Sequence, residues 1–254
     1  MKKYIGVDLG GTNIRVAVVT ELGELLEEIK KPSQAQSGPE VVLNNMIEMI
    51  KSLELFSECS GIGIGIPGPV DTEKGCVSLS TNIKGFTGFP VIDYLKKYID
   101  LPIYMDNDAN VAGLAEALVG AGKDKPIVYY ITQSTGIGGA LVVNGRTVSG
   151  KSGYAGEVAN IKVTDTDEVI NHLTPGAVEN EASGTALARR AKIEVDSSIE
   201  DTRQLFDLAR KGDKKALALV DDMSRKFAIM MASIAHVVDP HIFVLGGGVT
   251  KGKD

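Results

Sequence analysis

Twice along this chain a short apolar strand runs into a glycine-bearing turn and out again into a second strand. The first unit is residues 4–7, the tip Asp8-Leu9-Gly10-Gly11-Thr12-Asn13, and the β-branched run 14–20. The second is residues 127–132, the tip Ser134-Thr135-Gly136-Ile137-Gly138-Gly139, and the return strand 140–143, with the hairpin signal Asn144-Gly145 behind it. Two related hairpins at long period predict duplicated, β-rich halves. The length of 254 residues accommodates them, since a domain takes roughly 100–200 residues. A boundary near Asp108 gives a small N-terminal domain, 1–108, and a larger C-terminal one, 109–254.

The remaining elements follow from periodicity. Val42, Met46, Ile50 and Leu53 recur at helical spacing and predict a helix over 41–53. Residues 61–66 alternate Gly and Ile and read as a buried strand. Helices are predicted over 91–98 and from Asp108 to about 118, with a strand over 102–105 between them. Asp108 is a good capping residue for the second of these. The end of the chain is helical at 177–192, near 203–210 and at 214–237, before a strand at 242–245 that runs into Gly246-Gly247-Gly248.

Composition excludes several function classes. A net charge of -6 lacks the cationic footprint of nonspecific nucleic-acid binding, so no nucleic-acid partner is expected. Two cysteines, Cys59 and Cys76, make neither a disulfide framework nor a Cys-rich metal site and suit a reducing compartment. The start has too short an apolar run for a signal peptide. The apolar stretch 227–238 contains His236 and is too short to span a bilayer. A cytoplasmic protein with no membrane partner is expected.

Two glycine patterns are misleading. Gly63-x-Gly65-x-x-Gly68 matches the dinucleotide fingerprint as a string, but Pro67 and Pro69 follow where a helix should open. Residues 247–253 spell G-x-x-x-x-G-K, but Asp254 stands where a P-loop needs Ser or Thr.

The paired tips are more informative. Glycine lets backbone N–H groups approach phosphate oxygens with no Cβ in the way, and Thr12 and Thr135 add hydroxyls. Asp8 repels phosphate, so its task is to orient Mg2+ through water. In the run Asp106-Asn107-Asp108-Ala109-Asn110, Asn107 can donate and accept to a polyol and Asp108 can take a proton from an attacking hydroxyl. A helix cap alone is an equal reading of Asp108, and Glu157 and Glu179 taken alone read as solvated acids. The three histidines are too scattered for a metal motif.

The ordered set resembles the ROK family of bacterial sugar kinases, of the sugar kinase–Hsp70–actin superfamily. The resemblance is carried by Asp8-Leu9-Gly10-Gly11-Thr12, residues 65–71 (GIPGPVD), Asn82-Ile83-Lys84-Gly85-Phe86 and Asn107-Asp108-Ala109-Asn110. It continues through residues 135–139 (TGIGG), Ala155-Gly156-Glu157, Glu179 with residues 182–186 (ASGTA), and residues 239–248. It implies a two-domain α/β actin-like ATPase (ribonuclease H-like) fold, with mixed sheets flanked by helices and a cleft between the domains. It implies ATP and Mg2+ at Asp8, Gly10, Gly11, Thr12, Thr135, Gly136 and Gly138, and adenosine near Gly246, Gly247 and Gly248. Sugar contacts are implied at Gly65, Gly68, Asn82, Asn107, Asp108, Glu157, Asn160 and Glu179, with Asp108 as the catalytic base acting on the 6-hydroxyl of a hexose.

Three departures accompany it. Asn160, Ile170, His172 and Ala177 occupy the positions of the family's one-His, three-Cys zinc site, so no zinc is expected, and the His that Asn160 replaces also contacts sugar in glucokinases. Ser134 replaces a glycine before the second tip. Relatives continue past the position of Asp254, so an incomplete C-terminal domain is expected. The implied activity is glucokinase-like. N-acetylmannosamine, fructose or β-glucoside kinases and a non-catalytic sugar sensor are the alternatives. A DNA-binding repressor is disfavoured because the first tip begins at residue 8. A homodimer is expected by analogy alone.

Overall fold

The computed structural model of the chain describes residues 1–80 and 83–250. Side-chain alternation builds its first sheet. In β1 (Lys3–Leu9) the odd residues Ile5, Val7 and Leu9 are buried, and in β2 (Asn13–Thr20) the even residues Ile14, Val16 and Val18 are. β3 (Leu25–Pro32) is polar and exposed, as suits an edge strand. α1 (Pro39–Lys51) opens on Pro39 and buries Val42, Met46 and Ile50 at the expected spacing.

β4 (Cys59–Ile66) is the glycine–isoleucine strand, with Ile62, Ile64 and Ile66 buried. A short ribbon of β5 (Val70–Asp71) and β6 (Cys76–Val77) follows. Then come α2 (Val91–Lys96), β7 (Ile103–Asn107) and α3 (Asp108–Leu118). Among the described residues the sheet order is β3-β2-β1-β4-β7, with β1–β3 antiparallel and β4 and β7 parallel to β1.

The second half repeats this plan. β8 (Ile127–Gln133), β9 (Ile137–Val143) and β10 (Arg146–Thr147) form an antiparallel meander. After α4 (Val178–Ala182), α5 (Gly184–Glu194), α6 (Thr202–Arg210) and α7 (Lys214–Val238), β11 (Ile242–Gly246) pairs parallel with β8. The order β10-β9-β8-β11 echoes β3-β2-β1-β4, so the repeat seen in the glycine tips extends to topology.

Two boundaries differ from those expected. The single helix predicted over 177–192 is broken at Ser183, which is extended at φ −72 and ψ 164. Its hydroxyl accepts from the Ala186 N–H at 3.1 Å and so restarts the chain as α5. The compact units are Met1–Lys123 with Ser149–Ala155, and Asp124–Val148 with Gly156–Asp254, rather than halves meeting at Asp108. The reason is α3, which packs on β4: a Cβ at Gly65 would sit 3.5 Å from Asp108 Cα and 3.6 Å from Val111 Cβ. Each unit has its own apolar core. No described helix is long and apolar enough to cross a membrane.

Candidate active site

In the first unit the parallel register sets Asp8, Gly65 and Asp106 side by side on β1, β4 and β7. Asp8 lies one residue before the end of β1, and β7 leads directly into α3. Ligands of open α/β sheets gather at such carboxyl ends. The tip after β1 turns tightly, with the Gly10 N–H donating to the Asn13 carbonyl at 2.8 Å. Gly11 and Thr12 are exposed, and the Thr12 carbonyl is tied to the Ser33 N–H at 2.9 Å.

The α3 entrance divides its work differently from the sequence expectation. Asn107, not Asp108, is the N-cap: its Oδ1 accepts from the N–H groups of Ala109 at 2.9 Å and Asn110 at 3.3 Å. Its Nδ2 donates to the Gly68 carbonyl at 3.0 Å, and the residue is buried. The amide assigned to a polyol is thus largely engaged in holding the Gly65–Gly68 turn to the helix. Gly68 needs to be glycine, since its φ is +96 and a Cβ would lie 2.4 Å from the Leu79 carbonyl oxygen.

With capping assigned to Asn107, Asp108 occupies the first helical position. Its Oδ1 accepts from the Ala109 N–H at 2.8 Å, which leaves Oδ2 for another partner. Part of the residue is exposed, yet crowding by protein atoms pushes its carboxyl above the usual carboxylate range. The Ala109 N–H pulls the other way, and the negative Asp8 adds a smaller upward push. Asp106 is a support the sequence reading did not use. Its Oδ1 accepts from the Asn107 N–H at 2.7 Å and from Asn110 Nδ2 at 2.8 Å, within the same Asp106–Asn110 run. Asn82 lies outside the described residues.

In the second unit β8 and β11 end together, with Gly246 opposite Thr132. The turn between β8 and β9 closes through the Ser134 N–H on the Gly136 carbonyl at 2.8 Å, and Thr135 at its tip is exposed. Gly138 continues into β9 opposite Thr132. Gly247 has φ +99, and a Cβ there would lie 2.2 Å from the Gln133 carbonyl oxygen, so the glycine run folds directly onto the base of the turn. The α4–α5 break supplies further ties. Gly184 N–H donates to the Ser134 carbonyl at 2.7 Å and Thr185 N–H to the Thr135 carbonyl at 3.2 Å. The one sequence signal for this was a Ser-Gly pair inside a predicted helix.

Glu179, expected at the sugar, reaches the turn itself: its Oε2 accepts from the Ile137 N–H at 2.8 Å. Glu157 is partly buried. Burial first, and the Glu157 charge second, push the Tyr129 phenol up to about 12. Asn160 Oδ1 accepts from the Thr174 N–H at 2.7 Å. Nearby, Asn171 and Asn180 exchange side-chain amide bonds of 2.8 and 3.0 Å. Of the other positions matching the family's zinc ligands, Ile170 and Ala177 carry no donor and His172 is exposed.

The sequence profile of the ROK family matches residues 4–254. A glucokinase of Thermotoga maritima is 32% identical over 265 residues, spanning 99% of this chain and 84% of the relative. Among solved structures, a ROK hexokinase from Thermus thermophilus superposes with a TM-score of 0.87 at 35% identity, covering 98% of this chain and 83% of that one. A ROK family glucokinase from Streptomyces griseus, in complex with glucose and AMPPNP, gives 0.82 at 28% identity, covering 98% and 84%.

Proposed function

The chain belongs to the ROK family and is an ATP-dependent sugar kinase, and we propose that it phosphorylates a hexose, at the 6-hydroxyl, with Asp108 as the general base. Its fold is the actin-like ATPase fold of that family. The observation that carries the proposal is the division of labour at α3. Asn107 caps the helix and Asp106 braces the cap, so neither Asp108 oxygen is needed for helix entry, and Oδ2 is left to take a proton. A carboxyl raised above its ordinary range is a better base for a hydroxyl proton near neutral pH.

Phosphoryl transfer relies on positioning and charge neutralisation more than on covalent chemistry by the protein. In this reading the first unit presents Asp108 and the Gly65–Gly68 turn to the sugar. Backbone N–H groups and threonine hydroxyls of the two tips, at Gly10–Thr12 and Thr135–Gly136, take the phosphates. Gly246, Gly247 and Gly248 lie on the adenosine side. Glu157, Asn160, Glu179 and, beyond the described residues, Asn82 complete the sugar contacts.

The residues also suit Mg2+, which is usually bound through one or two carboxylates together with substrate phosphates. Asp8 is exposed at the end of β1, and no group of three or more His, Cys, Asp or Glu among the described residues is disposed to hold a metal by itself. Asp8 would hold the ion through water, and the ion when bound neutralises phosphate charge. Zinc has no part in the proposal, because Asn160 is engaged with Thr174, and Ile170 and Ala177 offer no ligand atom.

The test is ADP release with Mg-ATP against a panel of hexoses and N-acetylhexosamines, alongside Asp108→Ala. Turnover on one or two sugars is expected, with kcat in the variant lower by about 10²–10⁴-fold, the usual worth of a general base. Undiminished turnover in the variant would remove Asp108 from the chemistry. Sugar binding without turnover in the unsubstituted protein would favour a sensor.

A further inference from the structure

Glu179 is joined to the β8–β9 turn more closely than a sugar contact requires. Its Oε2 takes the Ile137 N–H at 2.8 Å, so that N–H is not available to a phosphate oxygen. The contact is tight on both sides, because a Cβ at Gly136 would lie 2.6 Å from the same oxygen. Oε1 accepts no hydrogen bond from the described residues.

The helix carrying Glu179 is itself held firmly. The Glu179 N–H donates to the Ala159 carbonyl at 3.1 Å, next to Asn160. Two residues on, buried Glu181 is paired with Lys226 at 2.7 Å and with Arg190 at 3.5 Å, from α7 and α5. Gln133 Nε2, at the end of β8, donates to the Ala182 carbonyl at 2.8 Å, and Gly184 and Thr185 hold the carbonyls of Ser134 and Thr135. The turn therefore takes its shape from α4 and the start of α5, and among the described residues Glu179 is the one charged side chain of these elements that bonds the turn directly.

We propose that Glu179 is a positioning residue for the phosphate-binding turn, its Oε2 holding Ile137 while Oε1 serves the acceptor sugar, so that one carboxylate couples the two substrates. This rests on the kinase reading above. The charge-assisted bond fixes the turn so that the Thr135 and Gly136 N–H groups, not that of Ile137, face phosphate. A hydroxyl bound at Oε1 restrains the same carboxylate and favours the phosphate-ready turn, so sugar tightens nucleotide binding and nucleotide tightens sugar binding by the same factor.

The experiment measures AMPPNP binding calorimetrically, without sugar and with the best acceptor from the panel, in the unsubstituted protein, Glu179→Ala and Glu179→Gln. The Ile137 amide is followed in parallel by NMR. Glu179→Ala should weaken AMPPNP binding in the absence of sugar by about tenfold, the scale of one hydrogen bond to a charged group. It should abolish the sugar enhancement and release the Ile137 amide from exchange protection. Glu179→Gln keeps a carbonyl acceptor, and should recover most of the sugar-free affinity and the protection while sugar affinity stays low. Sugar-free AMPPNP affinity and Ile137 protection unchanged in Glu179→Ala would overturn the inference and return Glu179 to the sugar alone. Failure of the unsubstituted protein to bind AMPPNP would instead overturn the kinase reading, and the inference with it.

Discussion

Asp108 and Asp8 form a pair whose charges work against each other. Desolvation is the main reason that the Asp108 carboxyl stands above its usual range, and Asp8 adds to it. With Asp108 as the proposed base, it must be ionised to accept a proton, so turnover should fall as pH drops through that raised value. Replacing Asp8 by Asn removes the like charge and favours ionised Asp108. The acid limb of the kcat profile should then move to lower pH, whatever the loss of the proposed water-mediated hold on Mg2+ does to the size of kcat. A limb that stays in place would mean that Asp8 does not act on Asp108. At this scale the sequence was half legible. The run Asp106–Asn110 stood out because it gathers carboxylates and amides, but spacing alone could not say which one caps the helix. That choice depends on Asn107 also reaching the Gly68 carbonyl, a partner 39 residues away in the chain.

Among elements, α4 and α5 show where periodicity misleads. Residues 177–192 keep helical spacing across the Ser183-Gly184 pair, because a break needs only one residue to leave helical φ and ψ. Ser183 leaves it because Gly184 must meet Ser134: a Cβ at Gly184 would lie 2.7 Å from the Ser134 carbonyl oxygen. The break shortens α4 to five residues, too few to be stable alone, so tertiary ties must hold it. The ion network does this. Glu181, Arg190 and Lys226 have side chains only 12–16% exposed, and Asp222 bonds both cations, Arg190 at 2.6 Å and Lys226 at 2.9 Å. Truncating one member of a buried network leaves its partners desolvated and underpaired. Glu181→Ala should therefore lower stability by about 3 kcal/mol in chemical denaturation. Glu181→Gln should recover part of that through hydrogen bonding, while Glu194→Ala, at the exposed end of the network, should lose less than about 1 kcal/mol. Equal losses in all three would mean that burial does not set the strength of these pairs.

For the whole molecule, duplication was the readable part and partition was not. Both glycine tips advertised a repeat, and the orders β3-β2-β1-β4 and β10-β9-β8-β11 confirm it. The partition was hidden because the chain changes unit three times, after Lys123, Val148 and Ala155, and a short return such as Ser149–Ala155 leaves no compositional mark. Gly153 shows what that return does. Its φ is +80, and a Cβ there would lie 2.9 Å from the Val70 carbonyl oxygen, so the segment packs against β5 of the first unit. Each unit also closes its own core: one gathers Leu9, Met46 and Phe86, the other Ile131, Leu187 and Met230. Cooperativity follows shared burial, and two cores with no common member need not unfold as one. Calorimetry should then resolve two transitions, or one whose calorimetric enthalpy exceeds its van't Hoff enthalpy. Glu181→Ala assigns them, because its lost ion pairs lie wholly in the second unit and should lower one transition while leaving the other near its original temperature. A single two-state transition, shifted as a whole by that substitution, would show instead that the two cores melt as one cooperative structure.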